Sequence, residues 1–381
     1  MAYFNNAATT YPKPDEVYSF MDSFYRNNGV SAGRSTNKSS FSAEQIIFET
    51  RSLIQEILNC PNKQVIFEPT ATIALNIIIQ GVIKSGANNI YISPFEHNSV
   101  TRVLHEFEKQ GKINVHQLYV DADFRFDLER IKYQFDDIKP DFVIISHASN
   151  VIGLIAPVDE IFNLAKRYDA VTLLDMAQTA GLIEFNVGSE IVDFAVFAGH
   201  KTLYGPTGIS GFVMKPNFNL LPVLYGGTGY DSKNLEMPVN LPERFEIGTT
   251  NIIGVAGLNA ALKWIKKQTI SKISDIESKN RKRLISLLEK YWFIKILGVN
   301  DKLEYVGVVS CLIDGISSDS AGNIFEKKDV VVRTGLHCAP LAHKFLNTFP
   351  AGTIRFSVSY FTSDRDFEEL KQVLDYIEEN L

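Results

Sequence analysis

The sequence lacks the features that mark exported and zinc-binding proteins. Its 381 residues contain three cysteines, Cys60, Cys311 and Cys338, and these are widely spaced. Because their number is odd, a disulfide framework is not indicated, and we expect a reduced, cytoplasmic protein. No Cys-x-x-Cys or His-x-x-x-His pair occurs in the sequence, so we expect no metal site.

Long apolar runs and an excess of positive charge are also missing. The longest apolar candidates, such as Ile77-Ile78-Ile79, are short and interrupted, so we expect no membrane association. The first residues, MAYFNNAATTYPKP, lack the charged and apolar segments of a signal peptide, and we expect none. The net charge of −6 argues against nucleic-acid binding, and the basic run at 279–283 fits the solvated face of a helix.

Short apolar runs alternate with helical patterns through the first two-thirds of the chain. Hydrophobic residues make up 45% and charged residues 22% of the sequence, which is typical of globular proteins. The alternation predicts an α/β fold with a mainly parallel seven-stranded sheet, in which the last two strands, joined by a short connection, pair antiparallel. The predicted strands lie at residues 64–68, 89–93, 114–120, 141–146, 170–175, 193–198 and 209–214.

Near residue 251 the pattern changes to that of a smaller α+β unit. Helical stretches at 253–267 and 276–291 precede strand candidates at 306–313 and 330–333 and a final helix at 364–380. We therefore predict a large α/β domain at 15–252 and a small α+β domain made of 1–14 and 253–381.

Polar residues follow five of the predicted strands, at the edge where ligands collect in parallel α/β folds. They are Thr72, His97, Asn150, Asp175 with Gln178, and His200 with Lys201. A lysine can form a Schiff base, a buried carboxylate can hold a protonated ring nitrogen, and a helix N-terminus at Ala71-Thr72 can bind a phosphate. With His97 stacked on an aromatic ring, this set predicts pyridoxal phosphate as the cofactor. Taken singly, each residue has an alternative role as a helix cap, a loop residue or a surface lysine.

The stretch VVVRTGLHCAPLAH carries a second reactive group. Cys338 lies in a loop bounded by glycine and proline, where we expect an exposed thiol, and the neighbouring His337 and Arg333 favour its reactive thiolate form. The other two cysteines fit inert packing. Farther on, Arg355 stands among apolar residues and needs an anionic partner, either a substrate carboxylate or an interdomain salt bridge.

Five blocks, HASNVIG, LLDMAQ, FAGHKTLYGPTGISG, FEIGTTN and VRTGLHCAPL, resemble the class V, fold-type I pyridoxal-phosphate enzymes. Within that class, the chain is similar to the cysteine desulfurases related to selenocysteine lyases, and the likeness runs from YFNNAATT to IRFSVSYFTS. The resemblance implies a homodimer that converts L-cysteine to L-alanine. The sulfur would be held on Cys338 as a persulfide and passed to an acceptor, which could be a protein.

The resemblance also implies how the cofactor is held. Lys201 would bind pyridoxal phosphate covalently, Asp175 would pair with its ring nitrogen, and Gln178 would contact its phenolic oxygen. The remaining cofactor-binding residues would be His97 on the ring, Asn150 beside it, Ala71, Thr72 and His200 at the phosphate, and Thr249 reaching the phosphate of the other subunit.

The catalytic and substrate-binding residues follow from the same resemblance. Lys201, Cys338 and His97 would be catalytic. Asn150 and Arg355 would hold the carboxylate of the substrate, with Arg333 close by.

The sequence departs from the pattern of these enzymes at four places. Ala198 stands where they often have serine, Ala71 replaces the first of two threonines, and Leu336 replaces the first of two histidines before the cysteine. The stretch SAGRSTNKSS at 31–40 has no histidine where many relatives have one. These departures bear on cofactor affinity and the sulfur acceptor, and less on the type of reaction.

Two alternatives to a cysteine desulfurase remain open at this point. The first is another class V activity, such as an aminotransferase, a lyase (selenocysteine lyase included) or an epimerase. The second is a pyridoxal-phosphate-binding protein without catalytic activity. The presence of Lys201, Asp175 and Cys338 together argues against the second.

Overall fold

The strands form three sheets in the computed structural model, which describes residues 1–30, 38–230 and 233–381. In chain order they are β1 (Ala2–Tyr3), β2 (Gln64–Glu68), β3 (Asn89–Ile92), β4 (Asn114–Gln117), β5 (Phe142–Ser146), β6 (Val171–Asp175), β7 (Phe194–Ala198), β8 (Ser210–Met214), β9 (Ile294–Leu297), β10 (Val308–Ile313), β11 (Val330–Val331), β12 (Arg333–Gly335) and β13 (Thr353–Ser357).

Helices pack on both faces of the largest sheet and on the smaller ones. They are α1 (Asp15–Asn28), α2 (Lys38–Ile57), α3 (Ala71–Lys84), α4 (Asn98–Lys109), α5 (Leu128–Asp137), α6 (Val158–Lys166), α7 (Ile252–Gln268), α8 (Ile270–Leu288), α9 (Ser318–Lys327), α10 (Pro340–Phe345) and α11 (Asp364–Glu379). Most of those that surround the site begin at a side-chain cap, which satisfies a backbone N–H of the first turn.

The seven-stranded sheet has the order β2-β8-β7-β6-β5-β3-β4. Its strands run parallel except β8, which is antiparallel to both β2 and β7. All seven predicted strands are confirmed, and so is the antiparallel pairing of the last two. Strand β4 is shorter than predicted because it lies at the sheet edge, and its partner β3 ends at Ile92, opposite Gln117.

The core lies on both faces of this sheet. In β5, Val143 and Ile145 join the cluster under α1, α2, α5, α6 and α7, whereas Phe142 and Ile144 join the cluster under α3 and α4. Successive side chains of a strand point to opposite faces, so a strand covered on both sides must be apolar at every position. This requirement explains the uninterrupted apolar runs in the sequence.

A second, antiparallel sheet has the order β12-β13-β10-β9 and packs against α8, α9 and α11. The predicted strand at 330–333 divides into β11, which pairs with β1, and β12, which pairs with β13. Strands β1 and β9 were not predicted. The predicted domain boundary at residue 252 coincides with the start of α7, which packs on α1 and α2. The division into two domains stays a prediction.

In the part of the chain that the structure describes, no helix combines the length and the hydropathy that a membrane span requires.

Candidate active site

The carboxyl ends of β5, β6 and β7 meet at a cavity of about 280 Å³. Strands β12 and β13, the first turn of α3, the start of α4 and residues 7–8 also line it. The predicted site residues that line it are Ala71, Thr72, His97, Asn150, Asp175, Gln178, His200, Lys201, Arg333 and Arg355. The structure therefore brings these side chains together at one rim, as the sequence predicted, while their chemical roles stay predictions.

Lys201 follows β7 in a tight turn that starts at Gly199. A Cβ atom at position 199 would lie 2.3 Å from the carbonyl oxygen of Ile209, so this position requires glycine. Burial, together with the positive charges of Arg355 and Arg333, lowers the pKa of the Lys201 amine to about 8. The Asp175 carboxylate opposes this shift. An amine that loses its proton near neutral pH is suited to covalent addition to an aldehyde.

Asp175 is the last residue of β6 and lies beside Ser146, its partner in β5. Its Oδ1 accepts a hydrogen bond from the Ala177 N–H at 2.9 Å. Burial raises the pKa of Asp175, and this hydrogen bond and the Lys201 charge counteract the shift. In the following turn, Gln178 donates from Nε2 to the carbonyl oxygen of Ala7 at 3.0 Å. A buried carboxylate with one free oxygen is suited to hold a cationic ring nitrogen.

His97 is the N-cap of α4, and its Nδ1 accepts a hydrogen bond from the Ser99 N–H at 3.0 Å. Because Nδ1 is the acceptor, the neutral ring carries its proton on Nε2. Burial, together with the Lys201 charge, lowers the pKa of His97 to about 4. A neutral ring at the cavity wall is suited to stacking on an aromatic cofactor.

The phosphate end of the predicted cofactor has a matching set of donors. Ala71 and Thr72 form the first turn of α3, and Thr70 caps the helix by accepting from the Ile73 N–H at 3.2 Å. The capping role that the sequence left open for Thr72 therefore belongs to Thr70. The buried Nδ1 of His200 has no hydrogen-bond partner among the described residues. A helix N-terminus beside an unpartnered ring nitrogen fits a phosphate group, and the cavity fits pyridoxal phosphate.

Arg333 and Arg355 are register partners across β12 and β13. Arg355 is 1% exposed, and it donates to the Asn150 carbonyl oxygen at 2.9 Å and to Asn5 Oδ1 at 3.1 Å. Its Nε has no partner in the described part of the chain. Burial, together with the Arg333 charge, lowers the pKa of Arg355 to about 9. Among the described residues, both hydrogen-bond partners of Arg355 are uncharged and it forms no salt bridge, so the structure gives no support there to the interdomain salt bridge.

Cys338 is partly exposed, in a loop where it and His337 have φ angles of 57° and 48°. Arg333 donates a hydrogen bond from Nη2 to its Sγ at 3.2 Å. The Asn98 N–H bonds to the Cys338 carbonyl oxygen at 2.6 Å, which ties the loop to α4. Cys338 lines two cavities of about 630 and 700 Å³ that share His97 and Arg333, respectively, with the main cavity. Its thiol therefore lies beside the rim, within hydrogen-bond distance of a guanidinium.

The predicted help from His337 is wrong. The ring is 2% exposed, and its Nε2 lies 2.9 Å from Thr353 Oγ1. Burial is the main cause that lowers the pKa of His337, and Arg355 adds to it. The ring is therefore uncharged and supplies no positive charge to the thiol.

Three predictions remain, on Thr249, on Ala198 and on the stretch without histidine. Thr249 lines a separate cavity of about 240 Å³ together with Glu246 and Gly208. Its predicted contact is with a second subunit, so this role stays a prediction. Ala198 lines the main cavity, so the serine hydroxyl that related enzymes often have at this position would face the site. The stretch without histidine begins at 31, and residues 31–37 lie outside the described residues.

Sequence reasoning missed Glu96, a fully buried carboxyl group behind the cavity. Its Oε1 accepts from Ser93 Oγ at 2.6 Å and from the Ser146 N–H at 2.8 Å, and its Oε2 accepts from Ser146 Oγ at 2.7 Å. Burial raises the pKa of Glu96 to about 7. The position of Glu96 directly before His97 could have revealed it, because a carboxyl group in a buried turn needs hydrogen-bond donors.

Among the residues that the structure describes, no group of three or more His, Cys, Asp or Glu side chains could hold a metal ion.

Comparison with known proteins agrees with this geometry. The family model described as aminotransferase class-V matches residues 2–370. A probable cysteine desulfurase of Pyrococcus abyssi is 30% identical, over 100% of this chain and 94% of that protein. A probable cysteine desulfurase of Methanothermobacter thermautotrophicus is 27% identical, over 98% of this chain and 94% of that protein. An apo structure of a cysteine desulfurase from Thermococcus onnurineus superposes with a TM-score of 0.91 at 27% identity, over 100% of this chain and 95% of the other.

Proposed function

This chain belongs to the class-V aminotransferase family, and we propose that it is a pyridoxal-phosphate-dependent cysteine desulfurase that converts L-cysteine to L-alanine. The observation that carries the proposal is the position of Cys338. A partly exposed thiol bonded to Arg333 lies beside a cavity that also holds Lys201 and Asp175. The site thus supplies a base and a soft nucleophile, the two groups that sulfur removal requires.

The cofactor would be held by residues that already line the cavity. Lys201 would bind it covalently, Asp175 would pair with its ring nitrogen, and the neutral His97 ring would lie on its face. Its phosphate would meet the N-terminus of α3 and His200, and Gln178 and Asn150 would complete its contacts. When bound, pyridoxal phosphate stabilises negative charge at the α-carbon of an amino acid.

The protein side chains divide the remaining work. Arg355, with Arg333 and Asn150, binds the carboxylate of cysteine through charge-assisted hydrogen bonds. The Lys201 amine, with its lowered pKa, removes the α-proton. The Cys338 thiolate then bonds to the substrate sulfur as that sulfur's bond to the β-carbon breaks. The β-carbon keeps the electron pair and takes a proton, so that alanine is released and Cys338 is left as a persulfide.

A homodimer, a reducing compartment and a sulfur acceptor are further parts of the proposal. Three aromatic side chains on helices α1 and α2 are exposed. They are Tyr25 at 50% on α1, and Phe41 at 68% and Phe48 at 74% on α2. A second copy would cover such a patch, which supports the predicted dimer, in which Thr249 reaches the other subunit. Cys338 must return to a free thiol after each turnover, so we place the protein in the cytoplasm with an acceptor that removes the sulfur.

The experiment that tests this function is turnover of L-cysteine by the pyridoxal-phosphate-loaded protein in the presence of a reducing thiol. We expect alanine and sulfide in equal amounts. C338S should keep the visible absorbance of the bound cofactor and lose sulfide release, whereas C60A, which removes a buried thiol, should keep activity. A yellow wild-type protein that forms no alanine from cysteine or selenocysteine would refute the proposal, and preference for selenocysteine would mark a selenocysteine lyase.

A further inference from the structure

The peptide that carries Lys201 is held by a segment nearly two hundred residues away in sequence. Thr9 donates from Oγ1 to the His200 carbonyl oxygen at 3.0 Å, and the Thr10 N–H donates to the same oxygen at 3.2 Å. Lys13 donates from Nζ to it at 2.6 Å. Thr10 also donates from Oγ1 to the Lys201 carbonyl oxygen at 2.7 Å. Two adjacent carbonyl groups thus receive four hydrogen bonds from residues 9–13.

The other end of this segment contacts the arginine side of the cavity. Asn5 accepts from Arg355 Nη2, and Ala7 bonds through its N–H to Ser357 Oγ at 2.8 Å. The Ala7 carbonyl oxygen accepts from Gln178, as described above. Residues 5–13, here called the N-terminal strap, therefore connect the Arg355 strand, the Asp175 turn and the Lys201 turn.

The strength of the contact at Lys13 distinguishes it from an ordinary surface lysine. Its ammonium is partly buried, and a hydrogen bond from a charged donor is worth about twice a neutral one. Burial lowers the pKa of Lys13 to about 7, so the amine donates to the His200 carbonyl oxygen in both protonation states and carries its full charge only below pH 7. A group that is withdrawn from water at such a cost needs a compensating partner, and the His200 carbonyl oxygen is that partner.

We propose that Lys13 and Thr10 are positioning residues, which fix the backbone of the Lys201 turn so that the amine keeps its place between Asp175 and the substrate. This inference rests on the proposed role of Lys201 as the base. The Lys201 amine would leave the cofactor and return to it in each catalytic cycle, so it must come back to one position. Its side chain has four rotatable bonds and cannot fix that position by itself. Only its main chain can be fixed without restricting the amine, and the strap bonds to that main chain.

Two amides report on the state of this turn. The Lys201 N–H donates to the Ala198 carbonyl oxygen at 3.3 Å, and the Tyr204 N–H donates to the Lys201 carbonyl oxygen at 2.8 Å. Local opening of the turn breaks both hydrogen bonds, so their hydrogen–deuterium exchange measures how firmly the strap holds it. This measurement needs no turnover.

The test compares K13M, K13R and T10V with a matched control, K84M. Lys84 also donates to a backbone carbonyl oxygen, that of Pro222 at 3.2 Å, but far from the cavity. In the cofactor-loaded protein we expect exchange at the Lys201 and Tyr204 amides to rise about tenfold in K13M and T10V and to stay at wild-type rates in K84M. With cysteine as substrate, kcat should fall about tenfold in K13M with little change in KM, and K13R, which keeps a charged donor, should restore most of both.

Two results would overturn the inference. One is wild-type exchange at both amides and wild-type kcat in K13M and T10V. The other is faster exchange throughout the chain with a lower unfolding temperature, which would give Lys13 a general structural role only. If the wild-type protein does not desulfurise cysteine while the local exchange effect is present, the proposed function fails and the positioning of the turn stands.

Discussion

Arg333 and Arg355 face each other as register partners on adjacent antiparallel strands, with no acidic partner among the described residues. Like charges at opposed positions of a sheet destabilise it. The arrangement therefore favours a bound anion, and the carboxylate of an amino acid is an anion of the right size and geometry. Arg333 also reaches the Cys338 sulfur, so in the proposed function the same pair would link substrate binding to the nucleophile.

The first prediction concerns Arg355. R355M should raise KM for cysteine by about 30- to 100-fold, because a charge-assisted contact to the carboxylate is lost. The unfolding temperature should stay near that of the wild type, since removal of a buried charge without an acidic partner offsets the loss of the hydrogen bonds to Asn150 and Asn5. Steady-state kinetics and thermal unfolding measure the two effects. An unchanged KM would show that the carboxylate binds elsewhere.

The second prediction concerns the three thiols. Burial raises the pKa of both Cys60 and Cys311 to about 12, and both are fully buried, whereas Cys338 is partly exposed. A thiol-alkylating reagent at neutral pH should therefore modify Cys338 alone in the folded protein. Peptide mass spectrometry identifies the site. Modification of either buried thiol at a comparable rate would contradict the account.

A third prediction follows from the contact between Arg333 and the sulfur. R333M should slow alkylation of Cys338 about three- to tenfold, because the hydrogen bond and the nearby positive charge that Arg333 supplies to the sulfur are removed. R102M is the matched control, since Arg102 lines the same two cavities as Cys338 and, in the part of the chain that the structure describes, forms no hydrogen bond with its sulfur. Equal rates in the wild type and R333M would mean that the contact does not activate the thiol.

The fourth prediction is a pH dependence of cofactor binding. The pKa of Lys201 is lowered to about 8, so its reactive, uncharged fraction rises as pH increases towards 8 and is complete above it. The rate at which the apo protein adds pyridoxal phosphate should rise about tenfold per pH unit below 8 and level off above. In D175N the plateau should begin at lower pH, because Asp175 favours the charged amine. A rate that still rises tenfold per unit up to pH 10 would indicate an ordinary lysine.

Much of the large sheet could be predicted because strands covered on both faces are apolar throughout. The run from Phe142 to Ser146 is an example, and polar residues after such strands then had to meet at one edge. Strand β9, with alternating partly buried residues, and the two-residue β1 carry a much weaker local signal and were missed.

The parts of the site that could not be predicted depend on contacts between distant segments. Sequence proximity placed His337 beside Cys338, but the local backbone turns its ring towards Thr353. The bond from Lys13 to the His200 carbonyl oxygen joins residues 187 positions apart, and no periodicity records it. Glu96 was hidden for the same reason, since Ser146 supplies two of its hydrogen bonds from another strand.

The measurement that tests the central claim most directly is a single turnover of L-cysteine by the cofactor-loaded protein without any added thiol. After quenching, mass spectrometry of the Cys338 peptide and assay of alanine are made on the same sample. The account predicts that Cys338 gains the mass of one sulfur atom for each alanine formed. Alanine produced with Cys338 unmodified would contradict it.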